Sequence, residues 1–211
     1  MKKNLLVLTI WMLSTNLFIG QVSSKVTRDF GNPIISDSSS TFIIPTVYNA
    51  GLFTSNKLAF WGDFYSNIIF YNFKTDSSKK LFEKDTYIVS LNPVRYSYFS
   101  ERKPNSSITA HWVFYRVMNV DKNKDNKIDN DDPAILYVSD THGNNLKPLT
   151  TDNENVVSID IYEKQNMALV KIQRDFNRDG SFTSKDTDYY YVKLDFSTLS
   201  FGNKIEISSN H

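Results

Sequence analysis

From about Thr41 onward, apolar positions gather in short runs separated by polar ones. The runs are "TFIIPTV", "KLAFW", "NIIFYNF", "TYIVSL", "HWVFYRV", "AILYVSD", "NVVSIDIY", "MALVKI" and "YYYVKLDF". Each is rich in Val, Ile, Tyr and Phe, the side chains that suit a pleated, half-buried surface, so each predicts a β-strand. The intervening "KTDSSKK", "DTHGNN", "YEKQNM" and "DFSTLSFGN" have turn composition. An amphipathic helix needs an apolar stripe at three- and four-residue spacing over about three turns. No stretch of the mature chain sustains one.

The runs recur in groups. "NKLAFW…NIIFYNFKTDSSKKLF" begins near Asn56, "TAHWVFYRV…AILYVSDTHGNNLKPLT" near Thr109, and "NMALVKI…YYYVKLDFSTLSFGNKIEI" near Asn166. Each unit reads strand, hairpin, strand, polar turn, short strand. One further strand stands before the second unit ("TYIVSL") and one before the third ("NVVSIDI"). The starts are roughly 50–60 residues apart, a period found in repeat arrays.

"PAILYVSDTHGNNLKPLT" resembles a blade of the TolB-type, WD40-like β-propeller repeats: apolar strand, Asp-x-x-Gly turn, Leu-Thr ending. The likeness covers Trp112 to Thr150 well and Asn56 to about Ile207 loosely. The first copy lacks the Gly turn and the third ends in "NKIEI". The resemblance implies an all-β, propeller-like array of about three four-stranded antiparallel blades. Lys25 to Phe53 supplies at least one strand of the first. Known propellers usually have four blades or more. Three outcomes follow: an incomplete propeller with open edges, an assembly closed by oligomerisation, or a stack of sheets that is no propeller. Evenly spaced strands equally predict a β-sandwich, which stands as the alternative. Open edges invite self-association.

Two acidic stretches fall inside the repeats, at 121–132 and 175–186. Both fit the twelve-position calcium loop, in which a hard cation draws six to eight oxygens from alternating residues. In the first loop Asp121, Asn123 and Asp125 hold positions 1, 3 and 5. Lys127 gives its carbonyl at 7, Asp129 stands at 9 and Asp132 at 12. In the second, Asp175, Asn177 and Asp179 hold 1, 3 and 5; Ser181 gives its carbonyl at 7, Thr183 stands at 9 and Asp186 at 12. Position 6 calls for a residue tolerant of positive φ, and it is Asn126 or Gly180. Position 8 is apolar in both, Ile128 and Phe182. Position 12 is Asp where EF-hands carry Glu, and Asp131 or Asp188 is a substitute or outer ligand. The flanks read as strands, so the loops resemble those on β-hairpins of integrin-type propeller repeats. A plain solvated turn is the simpler account, but duplication at matching places argues against it. Carboxylates this close repel one another unless compensated. The expectation is Ca2+ in both loops. Magnesium rarely uses an all-protein cage and fits poorly.

The remaining features narrow the picture. Hydrophobic residues make up 40% of 211, enough for a packed core. The net charge of +1 gives no electrostatic case for nucleic acid. Residues 1–24 read as a signal peptide: Lys2 and Lys3, an apolar run from Leu5 to Leu13, and small residues at Gly20, Ser23 and Ser24. An uncleaved anchor is the alternative, although the run is short for a span of ~20 residues. Residues 25–211 then form the repeat domain, secreted or periplasmic, with no later membrane span. There is no cysteine, hence no disulfide and no lipoprotein anchor. Core, metal or a partner must hold such a chain.

Catalytic signals are sparse. His111, His142 and His211 are scattered, and no serine lies in a Gly-x-Ser-x-Gly setting. No His/Cys cluster suits zinc. Trp61, Tyr65, Trp112, Tyr115 and Tyr189–Tyr191 offer stacking surfaces, but core packing explains them more simply. "NSS" at Asn105 spells a sequon and reads as a turn. The sequence therefore points to a calcium-stabilised binding or scaffolding module for a protein or glycan. A carboxylate-dependent hydrolase, or an accessory piece of one, is the alternative; its carboxylate pair would not be visible in sequence.

Overall fold

The computed structural model describes residues 27–36, 40–49, 64–92, 107–108 and 111–207. Its strands are β1 (Thr27–Phe30), β2 (Ile34–Ser36), β3 (Thr41–Asn49), β4 (Tyr65–Asn72), β5 (Ser77–Lys80), β6 (Tyr87–Asn92) and β7 (Ser107–Ile108). They continue with β8 (Trp112–Met118), β9 (Ile135–Asp140), β10 (Lys147–Pro148), β11 (Glu154–Tyr162), β12 (Met167–Arg174), β13 (Tyr189–Asp195) and β14 (Ser200–Glu206). A single 3-10 turn, Glu163–Gln165, is the one helical element among the described residues. The fold is all-β, as the strand-like runs predict. No helix among the described residues is long and apolar enough to cross a membrane.

Ten strands share one hydrogen-bonded network, and β11–β12–β13–β14 form a separate antiparallel sheet. The larger network is two meanders that meet at one pair, Tyr65↔Ile88. In the first, β1 and β2 both lie along β3, followed by β4 and β5. In the second, β6, β8, β9 and β10 follow in chain order. β7 adds to β2 in parallel. Three meanders, each four strand positions across, therefore succeed one another, with β1 and β2 sharing the first position of the first, and we refer to them as the first, second and third sheets.

This frame corrects the unit boundaries read from sequence. "TYIVSL" and "NVVSIDI" are the first strands of their sheets, not spacers between units. In the first sheet "TFIIPTV" (in β3) pairs with "NIIFYNF" (in β4). The expected start at Asn56, with "KLAFW" and Trp61, lies outside the described residues, as do the signal segment, Asn105 and His211.

The second sheet is the middle layer, and its strands show why. Along β8, Val113, Tyr115 and Val117 pack into a cluster with Ile43, Ile68 and Phe70 of the first sheet. The alternate residue Phe114 packs into another with Val170, Tyr190 and Leu194 of the third. A strand buried on both faces reads as a near-continuous apolar run, and "WVFYRVM" is one broken only by Arg116, whose Nε–H donates to Val156 O at 2.7 Å. Trp112 bridges as well, its indole N–H donating to Phe196 O at 3.1 Å.

The third sheet is apolar on one face only. Ala168, Val170 and Ile172 of β12 point toward the second sheet. On the opposite face, cross-strand register sets Leu169 beside Lys193 and Lys171 beside Tyr191. Lys171 also sits 4.7 Å from the centroid of the Tyr189 ring.

The turns after the third strands repeat one device. Asn72, Asp140 and Asp195 each end such a strand, and each turns its Oδ1 back onto amides two or more residues ahead. Asp and Asn favour turns for this reason.

Candidate metal centre

Both acidic loops join the second and third strands of their sheets: 119–134 links β8 to β9, and 175–188 links β12 to β13. All twelve expected site residues fall within the described region. Their main-chain hydrogen bonds match position by position. At position 1, Asp121 Oδ1 accepts from Asp125 N at 3.2 Å and Oδ2 from Asn126 N at 2.9 Å. Asp175 Oδ1 accepts from Asp179 N at 3.2 Å and Oδ2 from Gly180 N at 2.9 Å. At position 3, Asn123 and Asn177 each accept from the residue two ahead at 3.0 Å. At position 5, Asp125 and Asp179 accept from Lys127 N and Ser181 N. The path needs positive φ at positions 4 and 6. Lys124 and Asn126 have φ 63° and 67°, and Arg178 and Gly180 have 61° and 82°.

Position 12 closes each loop. Asp132 accepts Lys122 N at 2.8 Å through Oδ1 and Asp129 N at 3.0 Å through Oδ2. Asp186 accepts Phe176 N at 3.1 Å and Thr183 N at 3.0 Å in the same way. Both carboxylates are buried, 0% and 1% exposed. Among the described residues, no lysine or arginine forms an ion pair with either. Burial pushes the Asp132 carboxyl above the usual carboxylate range, against the opposing pull of the Asp129 and Lys122 amides. A buried charge without a counter-charge is costly, and each of these two carboxylates is offset by two backbone amides.

The donor set suits a hard cation: carboxylate, amide and carbonyl oxygens, with no nitrogen or sulfur. Among the described residues, however, no three carboxylates or imidazoles converge closely enough to hold an ion by themselves. The carboxylates are turned toward loop amides instead. A carboxylate has about four lone-pair sites, so one or two amide contacts leave acceptor capacity on each.

The loops are not separate features. Phe182 N donates to Asp131 O at 2.7 Å. This takes Asp131 as a bridge to the other loop, a role the sequence did not indicate. Asp188 pairs with Arg174 at 3.0 and 3.1 Å. Two amide side chains also went unnoticed in sequence. Ala134 N donates to Asn155 Oδ1 at 3.0 Å, and Asn155 Nδ2 to Gln173 Oε1 at 2.9 Å. Gln173 Nε2 then donates to Thr183 O and Asp186 O at 2.8 and 2.9 Å. No motif marks a lone Asn or Gln; their partners follow only from strand register.

Of the aromatic candidates, Tyr65, Tyr115 and Tyr190 are buried and Trp112 is half-buried, so they serve the core. His111 and His142 are exposed and far apart in the chain. One depression is lined by Thr41, Asn72, Ser77, Lys79, His142 and Asn144, with no carboxylate on its wall.

No protein-family model matches the chain, and no curated protein matches it. Among solved structures it is similar to an oligogalacturonate lyase in complex with manganese, with a TM-score of 0.42 and 10% identity over 85% of this chain. The chain spans 42% of the length of that protein.

Proposed function

We propose that this chain is a calcium-stabilised β-repeat module that binds or scaffolds a protein or glycan partner outside the cytoplasm. Its three sheets are read as propeller-like blades, and its two loops as cation staples in a chain with no cysteine. One observation carries the calcium reading. The same hydrogen-bonded loop occurs twice, each time folded over a buried carboxylate that has no counter-charge among the described residues. Asp121, Asn123, Asp125, Asp129, Asp132 and the Lys127 carbonyl would hold one ion. Asp175, Asn177, Asp179, Asp186, Thr183 and the Ser181 carbonyl would hold the other. A bound ion supplies the positive charge that lets position 12 stay ionised inside the fold.

The binding reading is favoured over the hydrolase because the acidic residues of the two loops are committed to loop closure. Asp188 and Glu206 are likewise committed to Arg174.

Thermal melting in calcium and in chelator, with titration calorimetry, tests the proposal. With dissociation constants near 10⁻⁵ to 10⁻⁴ M, millimolar calcium stabilises by about 1.4–2.7 kcal/mol per site. For a domain of this size that raises Tm by roughly 3–11 °C per site. An unchanged midpoint with no heat of binding would overturn it.

A further inference from the structure

We propose that the cleft between the first and second sheets is a binding site for a small oxyanion, a carboxylate or a sulfate-like group. The inference stands on this cleft alone and does not depend on calcium.

The floor of the cleft follows from strand register. Thr41 of β3 lies opposite Asn72 of β4, and Asn72 opposite Ser77 of β5, so the three form one row across the first sheet. Two positions along, Phe70 lies opposite Lys79. Residues two apart on a strand share a face. Phe70 packs toward the second sheet, so the row and Lys79 turn that way as well. The roof is the turn after β9, where Gly143 lies against the Phe70 ring. His142 and Asn144 flank that glycine and complete the wall. The space between is about 250 Å³. That is below the usual range for a drug-sized ligand, and it suits about eight waters or one small charged group.

The chemistry of the wall is set by which ends of its side chains the fold has already used. Asn72 Oδ1 accepts from the amides of Lys74 and Thr75 at 2.9 and 3.2 Å. Asn144 Oδ1 accepts from Lys79 Nζ. With each carbonyl oxygen turned to a partner, the two side chains have their Nδ2 hydrogens left to give. An ammonium carries three hydrogens, so Lys79 also keeps donors after its bond to Asn144. Thr41 adds a hydroxyl from a buried residue, 2% exposed.

No carboxylate lines the cleft to offset these donors. The two acidic residues in the adjoining turns are engaged elsewhere. Asp76 Oδ1 accepts from Tyr71 OH at 2.9 Å, and Asp140 Oδ1 accepts from the His142 and Asn144 amides, each at 2.8 Å. A wall that holds a cation and amide donors calls for a ligand that is negative and accepts through several oxygens. Hydrogen bonds of this charge-assisted kind are the strong ones. The tether to Asn144 also presets the Lys79 ammonium, so less side-chain freedom is lost on binding.

The test is an NMR titration of the nitrogen-15-labelled protein with sodium sulfate and with sodium glucuronate, against sodium chloride at matched ionic strength. The side-chain amide signals of Asn72 and Asn144 should shift and saturate with at least one of the two, and not with chloride. Which of them saturates tells a sulfate-like group from a carboxylate. Lys79→Met keeps an apolar stem and removes the charge, and should weaken binding about tenfold or more. Lys79→Gln replaces it if the Met variant does not fold. Lys80→Met removes the same charge from the opposite face of β5 and should leave binding within about twofold. Saturation by neither probe would overturn the site. Equal losses from the Lys79 and Lys80 variants would overturn it too, by showing diffuse attraction to a basic strand. Both results leave the calcium reading untouched.

Discussion

Gly143, in the turn after β9, lies flat against the ring of Phe70 on β4. A Cβ at 143 would fall 2.5 Å from ring carbons Cδ2 and Cε2. The turn of the second sheet is thereby pressed onto the core of the first. Gly143 also has φ 71°, where a side chain is strained. Gly143→Ala should destabilise by roughly 2–4 kcal/mol through overpacking and backbone strain together. Phe70→Leu should recover part of that loss in a double-mutant cycle read by urea unfolding. Additive losses would show that the two residues do not oppose each other.

The second and third sheets are joined by Phe114 and Phe196, whose rings stack at 5.2 Å with 30° between planes. Phe114→Ala should cost about 3–5 kcal/mol, because a fully buried ring is replaced by a cavity. Trp112→Phe loses the indole bond to Phe196 O and part of the packing of a half-buried ring, so it should cost about 1–2 kcal/mol. Urea midpoints at constant slope check both. A larger effect from Trp112→Phe would reverse the assigned order.

Position 6 of the loops offers a paired substitution. Gly180→Ala meets both a positive φ and the Lys122 carbonyl, and should destabilise by about 1–2 kcal/mol. Asn126→Gly relieves the same backbone state at φ 67° and should change stability by less than about 1 kcal/mol. Melting in calcium and in chelator compares them. Equal effects at the two positions would mean that Gly180 is not pressed against the first loop.

Alkaline stability depends on tyrosines. Burial, with Tyr87 and Asp85 nearby, pushes the Tyr48 phenol up to about 12 from 10.0. Burial raises Tyr115 further, and burial with the Glu154 carboxylate raises Tyr190. The folded pKa exceeds the unfolded one, so the stabilisation is complete below the unfolded value. It is lost as pH rises through the folded value. The urea midpoint should hold up to about pH 9 and fall above about pH 10. Tyr48→Phe should flatten that fall. A midpoint that starts to drop well below pH 9 would place the responsible group elsewhere.

The strands were legible because each run carries its own β-propensity and each turn its own Asn, Asp or Gly. The first sheet's frame was not, because "TFIIPTV", "KLAFW" and "NIIFYNF" are equally good partners for one another. Pairing is a choice between distant segments that no local pattern encodes. The acidic loops were legible position by position, since every required residue type recurs at a fixed offset. What escaped was their contact. The Phe182 amide, the Asp131 carbonyl and the Asn155–Gln173 pair come together only after two sheets have packed. The Asp188 pairing escaped for a related reason. Arg174 and Asp188 face each other at the mouth of the β12–β13 hairpin, and that register makes them an ion pair.

The outward face of the third sheet has a consequence for growth. Sheets packed face to face extend by laying one upon the next, as bricks extend a wall. A further sheet on that side would strip water from Lys171 and Lys193, at several kcal/mol for each ammonium left unpaired. The wetted face therefore makes stacking of another sheet costly unless that sheet brings carboxylates to meet the two ammonium groups.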